Sequence, residues 1–316
     1  GVCLGVWFDA GAAVMCRGTY RGIQGNHHPV CNGTCLVANT GWENLTPISV
    51  CLIVVPSFCW YWFLAKAVDE HISPAMFYIF GINVIVALAL LFVTMFTEPG
   101  ILPTITYEEY SEENPDIPLR ITSRIRLDGR EYELSQFRAK FSRYTANCIE
   151  NFDHYCPWVG NAIGKRNYRY FVLFMFSSLT LSMLLAGTCS ALLILYSLRE
   201  HKSFVNAMED DVAAAVLAIY GYCMFFSLFG LCLFHARAIG ANMTTNEILK
   251  GVYNSRNVNP YDKGCYRNWW TFCCSSVPSS RISGAEGESP LLHEQDALAI
   301  DIEPMALDRQ AVVSDD

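Results

Sequence analysis

The chain has 316 residues, of which 52% are hydrophobic and only 16% charged, and its mean hydropathy is +0.23. Such a balance excludes an ordinary soluble domain of this length and makes a membrane protein the working class. The formal net charge of −8 offers no basic field, so nucleic acid is not among the expected partners.

In chain order, residues 1–46 form an arm containing Arg17 and Arg21, ahead of the first long apolar stretch. A hydrocarbon core of about 30 Å takes roughly 20 mostly apolar residues to cross. Four segments qualify, running from Pro47 to Val68, Pro74 to Phe96, Tyr170 to Tyr196 and Ala213 to Phe234. Pro56, Gly81 and Asn83 inside the first two are poor choices for soluble core helices but are tolerated in membrane helices, where neighbours satisfy the backbone. The expected fold class is an all-α polytopic membrane protein with four transmembrane helices and a small irregular domain between helices 2 and 3.

Lys and Arg set the orientation of such a chain. Ten of them lie between Arg120 and Arg169, whereas the short connections on the other side carry only Lys66, Arg199 and Lys202. The segment between spans two and three is therefore expected to be cytosolic, and with four spans both termini share its side. Asn32 and Asn44 lie in glycosylation sequons that this topology leaves bare. The expected organisation is a cytosolic arm at 1–46, spans one and two at 47–96, a cytosolic segment at 97–169, and spans three and four at 170–235. A cytosolic module at 236–274 and an acidic tail at 275–316 follow. The tail is rich in Ser, Pro and acids with no sustained apolar period, and is expected to be disordered.

Fourteen cysteines are scattered along the chain. Cys51, Cys59, Cys189, Cys223 and Cys232 fall within spans and read as small hydrophobes. Cys31 and Cys35 would face a reducing cytosol, where a stable disulfide is not expected. Cys265, Cys273 and Cys274 follow the last span and are candidates for lipid modification.

Just ahead of span three the chain reads DHYCPWVGNAIGKRNY from Asp153 to Tyr168. A thiol is a good nucleophile only as the thiolate, which a neighbouring base or cation favours. His154 lies two residues before Cys156, and Asp153 is placed to orient the imidazole. The bland reading is an inert thiol and a structural histidine, so the context must decide.

That context resembles the DHHC family of protein S-acyltransferases, integral-membrane enzymes that attach palmitate to cytosolic cysteines. NFDHYCPWVGNAIGKRNYRYF carries the signature, and TEPGILP after span two matches the family's DPG element with Glu98 for Asp. TTNE after span four matches its TTxE element, and NPYDKGCYRNWWTFC its C-terminal element. The resemblance covers roughly residues 20 to 275. It implies that Cys156 carries the acyl group, that His154 is the general base and that Asp153 orients it. Thr245 would hydrogen-bond Asp153, Asn268 would tie down the C-terminal module, and Lys165, Arg166 and Arg169 would meet the phosphates of acyl-CoA. For these three cations the bland alternative is snorkelling at the start of span three. The implied partners are the lipid bilayer, palmitoyl-CoA as acyl donor, and protein substrates with juxtamembrane cysteines. The implied location is an endomembrane compartment: Golgi, ER or plasma membrane.

Family members hold two zinc ions, each on three Cys and one His. Here Phe141, Ser142 and Thr145 stand where a His and two Cys belong, Tyr155 replaces the second His of the signature, and Ala162 replaces the last Cys. Only Cys148 remains, and the earlier C-x-x-C is absent from DGREYELSQF. One thiolate cannot build a tetrahedral site, so no metal and no cofactor is expected. Packing by Phe137, Phe141, Tyr144, Tyr155 and Trp158 is the expected replacement. The competing reading is a non-catalytic membrane scaffold that keeps the fold; the ruined ligand set favours it, and the intact Asp153, His154 and Cys156 oppose it.

Overall fold

The computed structural model describes residues 25–30, 35–102, 124–127, 130–133, 138–253 and 258–282, with the hairpin at 124–133 described by its backbone alone. Expectations for Arg17, Asn32, Arg120, Phe137 and the tail after Ile282 lie outside the described residues. Among the described residues four helices are long and apolar enough to cross a membrane: α1 (Thr46–Phe63), α3 (Ala75–Phe96), α4 (Tyr168–Arg199) and α6 (Val212–Gly240). Short helices α2 (Ala65–His71) and α5 (Phe204–Asp210) sit at their connections. Beyond α6 come α7 (Thr245–Leu249) and α8 (Cys265–Cys274).

Helix α4 is the axis of the bundle and packs on both α3 and α6. At 1.5 Å per residue its 32 residues are about 48 Å long, well beyond a hydrocarbon core. Its first turn therefore projects into the polar domain. Gly221 brings α6 close, because a Cβ there would lie 2.9 Å from the Ala186 nitrogen on α4; small residues permit such approaches between membrane helices. Inside, Trp60 stacks on Phe80 at 4.2 Å and donates its indole N–H to Thr188 Oγ1 at 2.9 Å. Outside, Ile82, Ile85, Val216 and Phe226 are exposed, as suits an outer solvent of lipid.

The irregular residues in these helices are satisfied by neighbours. Pro56 has no N–H to offer the carbonyl four residues back, and Tyr220 on α6 donates its hydroxyl to that Leu52 oxygen at 2.6 Å. Gly81 lacks the Cβ that would otherwise meet the Tyr61 hydroxyl at 2.5 Å, so Tyr61 reaches the Phe77 carbonyl at 2.7 Å.

The segment between α3 and α4 is more regular than its composition suggests. Its described residues hold three antiparallel hairpins: β3–β4 (Arg124–Leu127 with Arg130–Glu133), β5–β6 (Lys140–Ser142 with Asn147–Ile149) and β7–β8 (His154–Cys156 with Asn161–Ile163). A fourth, β1–β2 (His27–Val30 with Cys35–Ala38), comes from the N-terminal arm and packs on this domain through the Asn26 N–H, which donates to the Thr145 carbonyl. The expected aromatic packing is largely not found. Phe141, on β5, is 63% and Trp158, in the turn after β7, 48% exposed, and among the described residues of that set only Tyr144 and Tyr155 stack, at 4.4 Å. After α8, residues Ser275–Ile282 run back over the domain, and Ile282 packs with Leu36 and Ile101.

Candidate active site

Side chains two apart on a strand share a face, so β7 presents His154 and Cys156 together. The strand ends in the turn Pro157–Gly160, where Gly160 adopts φ +67° and the Cys156 carbonyl accepts from the Val159 and Gly160 N–H groups at 3.2 and 2.9 Å. The start of α1 anchors this turn: Leu45 N–H donates to the Pro157 carbonyl at 2.9 Å, and Ser49 Oγ to the Trp158 carbonyl at 2.7 Å.

Asp153 is buried behind the imidazole. It accepts from His154 Nδ1 at 2.7 Å, and Thr245 donates its backbone N–H to one carboxylate oxygen and its hydroxyl to the other, each at 2.7 Å. Thr244 caps α7 in a reciprocal capping box with Glu247, which fixes the helix start that delivers these donors. Glu247 is in turn held by a buried ion pair with Arg138.

Burial acts to raise the Asp153 pKa, but the hydrogen bond and charge of His154 and both Thr245 bonds outweigh it and hold the carboxyl below the usual range. Burial likewise acts to lower the His154 pKa, but Asp153 and Cys156 outweigh it and push the imidazole up to about 9. With Nδ1 committed to Asp153, Nε2 is left for Cys156, and a protonated imidazole is the partner a thiolate nucleophile requires.

Two cavities flank this trio, one touching His154 and Cys156 and the other Asp153. An apolar one of about 540 Å³ opens at His154, Cys156 and Trp158 and descends between the spans past Met175 and Leu181 to Phe80. A polar one of about 420 Å³ lies on the Asp153 side, lined by Arg138, Lys165, Arg166, Arg169 and Asn268. Cys156 itself is only 6% exposed.

Asp153, His154, Cys156 and Thr245 thus form one connected group. Asn268 does not touch it: its amide donates to the Gly240 carbonyl at 2.8 Å and to Asp262 at 2.7 Å, pinning α8 to the end of α6. The three cations line the polar cavity with partners of their own. Lys165 pairs with Glu150, Arg166 with buried Glu98, and Arg169 with the Ser275 carbonyl at 2.6 Å. Ser275–Pro278 also lines this cavity, the Pro278 carbonyl accepting from Arg166 at 3.0 Å. Sequence reasoning missed His235, which is buried 6.0 Å from the His154 ring and bonded to the Tyr168 hydroxyl at 3.1 Å. Hydropathy ended span four at Phe234, one residue short of it, so no intramembrane ionisable residue stood out. Arg138 gave no signal either, since its partner Glu247 lies 109 residues away.

Residues 133–252 match the DHHC palmitoyltransferase family. Palmitoyltransferase ZDHHC18-B of Danio rerio is 30% identical to the chain over 292 residues, covering 84% of this chain and 74% of that protein. The chain belongs to the DHHC palmitoyltransferase family. Palmitoyltransferase ZDHHC14 of Mus musculus and of Homo sapiens are each 32% identical over 84% of this chain, which spans 58% of the length of those two proteins.

The zinc that DHHC domains carry does not fit the residues present. Tyr155, at one ligand position, stacks on Tyr144 and donates its hydroxyl to Thr40 Oγ1 at 2.6 Å. Ala162, paired with it across the hairpin, has no donor atom, and the neutral hydroxyls of Ser142 and Thr145 do not replace thiolates. Among the described residues no three His, Cys, Asp or Glu side chains form a metal-holding group.

Proposed function

We propose that this DHHC protein is a protein S-acyltransferase that moves a long-chain acyl group, palmitoyl by the name of its family, from acyl-CoA to cysteines of other proteins through Cys156. The observation that carries the reading is a connected Asp153, His154 and Cys156 with an apolar cavity opening at His154 and Cys156 and a second, cation-bordered cavity at Asp153.

In the first step His154 holds the proton of Cys156, and the Cys156 sulfur attacks the thioester carbonyl. An S–C bond forms at Cys156, the bond to the CoA sulfur breaks, and the departing thiolate takes the proton from His154. In the second step His154 accepts the proton of a substrate thiol, whose sulfur takes the acyl group and releases Cys156. Asp153, fixed by Thr245, keeps the imidazole in one orientation throughout. The acyl chain occupies the apolar cavity, where each buried CH₂ contributes about 0.8 kcal/mol. Lys165, Arg166 and Arg169 border the polar cavity and would meet the CoA phosphates while sharing their charge with Glu150, Glu98 and the Ser275 carbonyl.

The domain functions without zinc, lies in the cytosol with both termini, and acts in an endomembrane compartment on membrane-proximal cysteines. The non-catalytic scaffold reading is opposed by the intact trio and its open acyl cavity. The test is labelling of the full chain with an alkynyl acyl-CoA. Cys156→Ala is expected to lose hydroxylamine-sensitive label while still inserting into membranes; undiminished label would move the nucleophile elsewhere.

A further inference from the structure

In a zinc-bearing relative, the second metal would be held by the positions of Ser142, Thr145, Tyr155 and Ala162. The first two belong to the β5–β6 hairpin and the last two to β7–β8. That metal would therefore join one hairpin to the other, and β7 carries Cys156. With these four side chains the joint must be made differently. Stacking of Tyr144 on Tyr155 supplies part of it. The rest comes from the N-terminal arm.

His27, at the start of β1, is 2% exposed and sits between the two hairpins. Its Nε2–H donates to Asn161 Oδ1 on β8 at 3.3 Å, and its Nδ1 lies 2.8 Å from the Asn147 side-chain amide on β6. Asn161 is the register partner of Cys156. Its orientation is fixed, because its amide N–H groups donate to the Met95 and Thr97 carbonyls at 2.9 and 3.2 Å while its oxygen accepts from Ala162 N–H at 2.8 Å. The backbone ahead of His27 is pressed onto the turn that holds Thr145. Asn26 donates its N–H to the Thr145 carbonyl at 2.8 Å and its amide to the Tyr144 carbonyl at 2.9 Å. Gly25, at φ +94°, has no room for a Cβ, which would fall 2.7 Å from that same Thr145 oxygen. Thr40, just past β2, accepts from Tyr155.

We propose that the described residues 25–30 and 35–40 of the arm take the place of the second zinc, and that His27 is a positioning residue that holds the Cys156 hairpin through Asn161. The joint that a metal would make with four side chains is made by one buried imidazole, two asparagines and a stacked tyrosine pair. The positioning half rests on Cys156 as acyl carrier; the metal-replacement half does not.

The test uses the full chain in detergent or vesicles. Wild-type protein is expected to contain no tightly bound zinc and to keep its acylation rate in chelator; one or two zinc ions per chain would overturn the proposal. His27→Ala is expected to slow acylation of Cys156 by roughly tenfold to a hundredfold, as misplacement of a reacting group does, with KM for acyl-CoA little changed because neither cavity includes His27. His27→Gln, which keeps a donor and an acceptor, is expected to recover most of the rate. A wild-type rate in His27→Ala, an effect confined to KM, or no recovery in His27→Gln contradicts the positioning role. If His27→Ala fails to fold, the same substitution is placed in a chain also carrying Ser142→Cys, Thr145→Cys, Tyr155→His and Ala162→Cys. Zinc-dependent folding of that chain, lost in chelator, supports the replacement; no response to zinc overturns it. The folding and zinc readouts stand even if Cys156 proves not to be the acyl carrier.

Discussion

Thr245 makes Asp153 a fixed acceptor, with two donors on its two oxygens at 2.7 Å. Thr245→Val removes the hydroxyl and leaves the backbone N–H, so one charge-assisted bond is lost, worth about 1.5–3 kcal/mol. The expected result is acylation slowed by roughly tenfold or more, with little change in KM, measured as the initial rate of label transfer. The acid–base pair has a defined window. The His154 pKa is raised to about 9, so its contribution is complete below the unfolded value of about 6.5 and is lost as pH rises through about 9. Asp153 is shifted down, so its contribution is present above about 3.9 and is lost as pH falls through its lower folded value. Acylation of Cys156 is accordingly expected to hold across neutral pH and to fall near pH 9, when the imidazolium loses its proton. A rate that kept rising well above pH 9 would show that the protonated imidazole is not part of the reactive form.

At the scale of elements, the spans were legible because length and hydropathy alone specify them, and Ala75–Phe96 begins one residue from its expected start. Spans three and four ran longer than expected, to Tyr168–Arg199 and Val212–Gly240, because helices continue past the apolar window into sequence that hydropathy does not mark. The first stopped early: the helix breaks at Leu64 and restarts at Ala65. The three-residue strands HYC and NAI were not legible, since three residues carry no period to detect. Within the site, Asp153, His154 and Cys156 could be read from adjacency, whereas His27 reaches Asn161 across 134 residues and leaves no local trace. The Pro56 arrangement makes its own prediction. Tyr220→Phe leaves the Leu52 carbonyl unsatisfied inside the bundle and should cost about 1–3 kcal/mol, visible as a lower melting temperature in detergent. An unchanged melting temperature would mean that another group serves that carbonyl.

For the molecule as a whole, the bundle and the hairpin domain meet at the first turn of α4, where Tyr168 and Phe171 stand beside His154 and His235. This junction sets the Cys156 thiol at the end of an apolar cavity, an arrangement that suits the substrate proposed for it, with one greasy and one highly charged end. The orientation proposed for it predicts that Asn44, which sits just before α1 against Gly160, carries no glycan. Endoglycosidase-sensitive sugar on Asn44 in cells would place the arm, and the catalytic domain with it, on the opposite side of the membrane.

The central claim is that Cys156 carries an acyl group in a domain that needs no metal to hold it. Site-resolved mass spectrometry of the full chain, treated with chelator and then given acyl-CoA, tests it most directly. The account predicts a hydroxylamine-labile acyl group on Cys156; an unmodified Cys156, or acyl confined to Cys273 and Cys274, would contradict it.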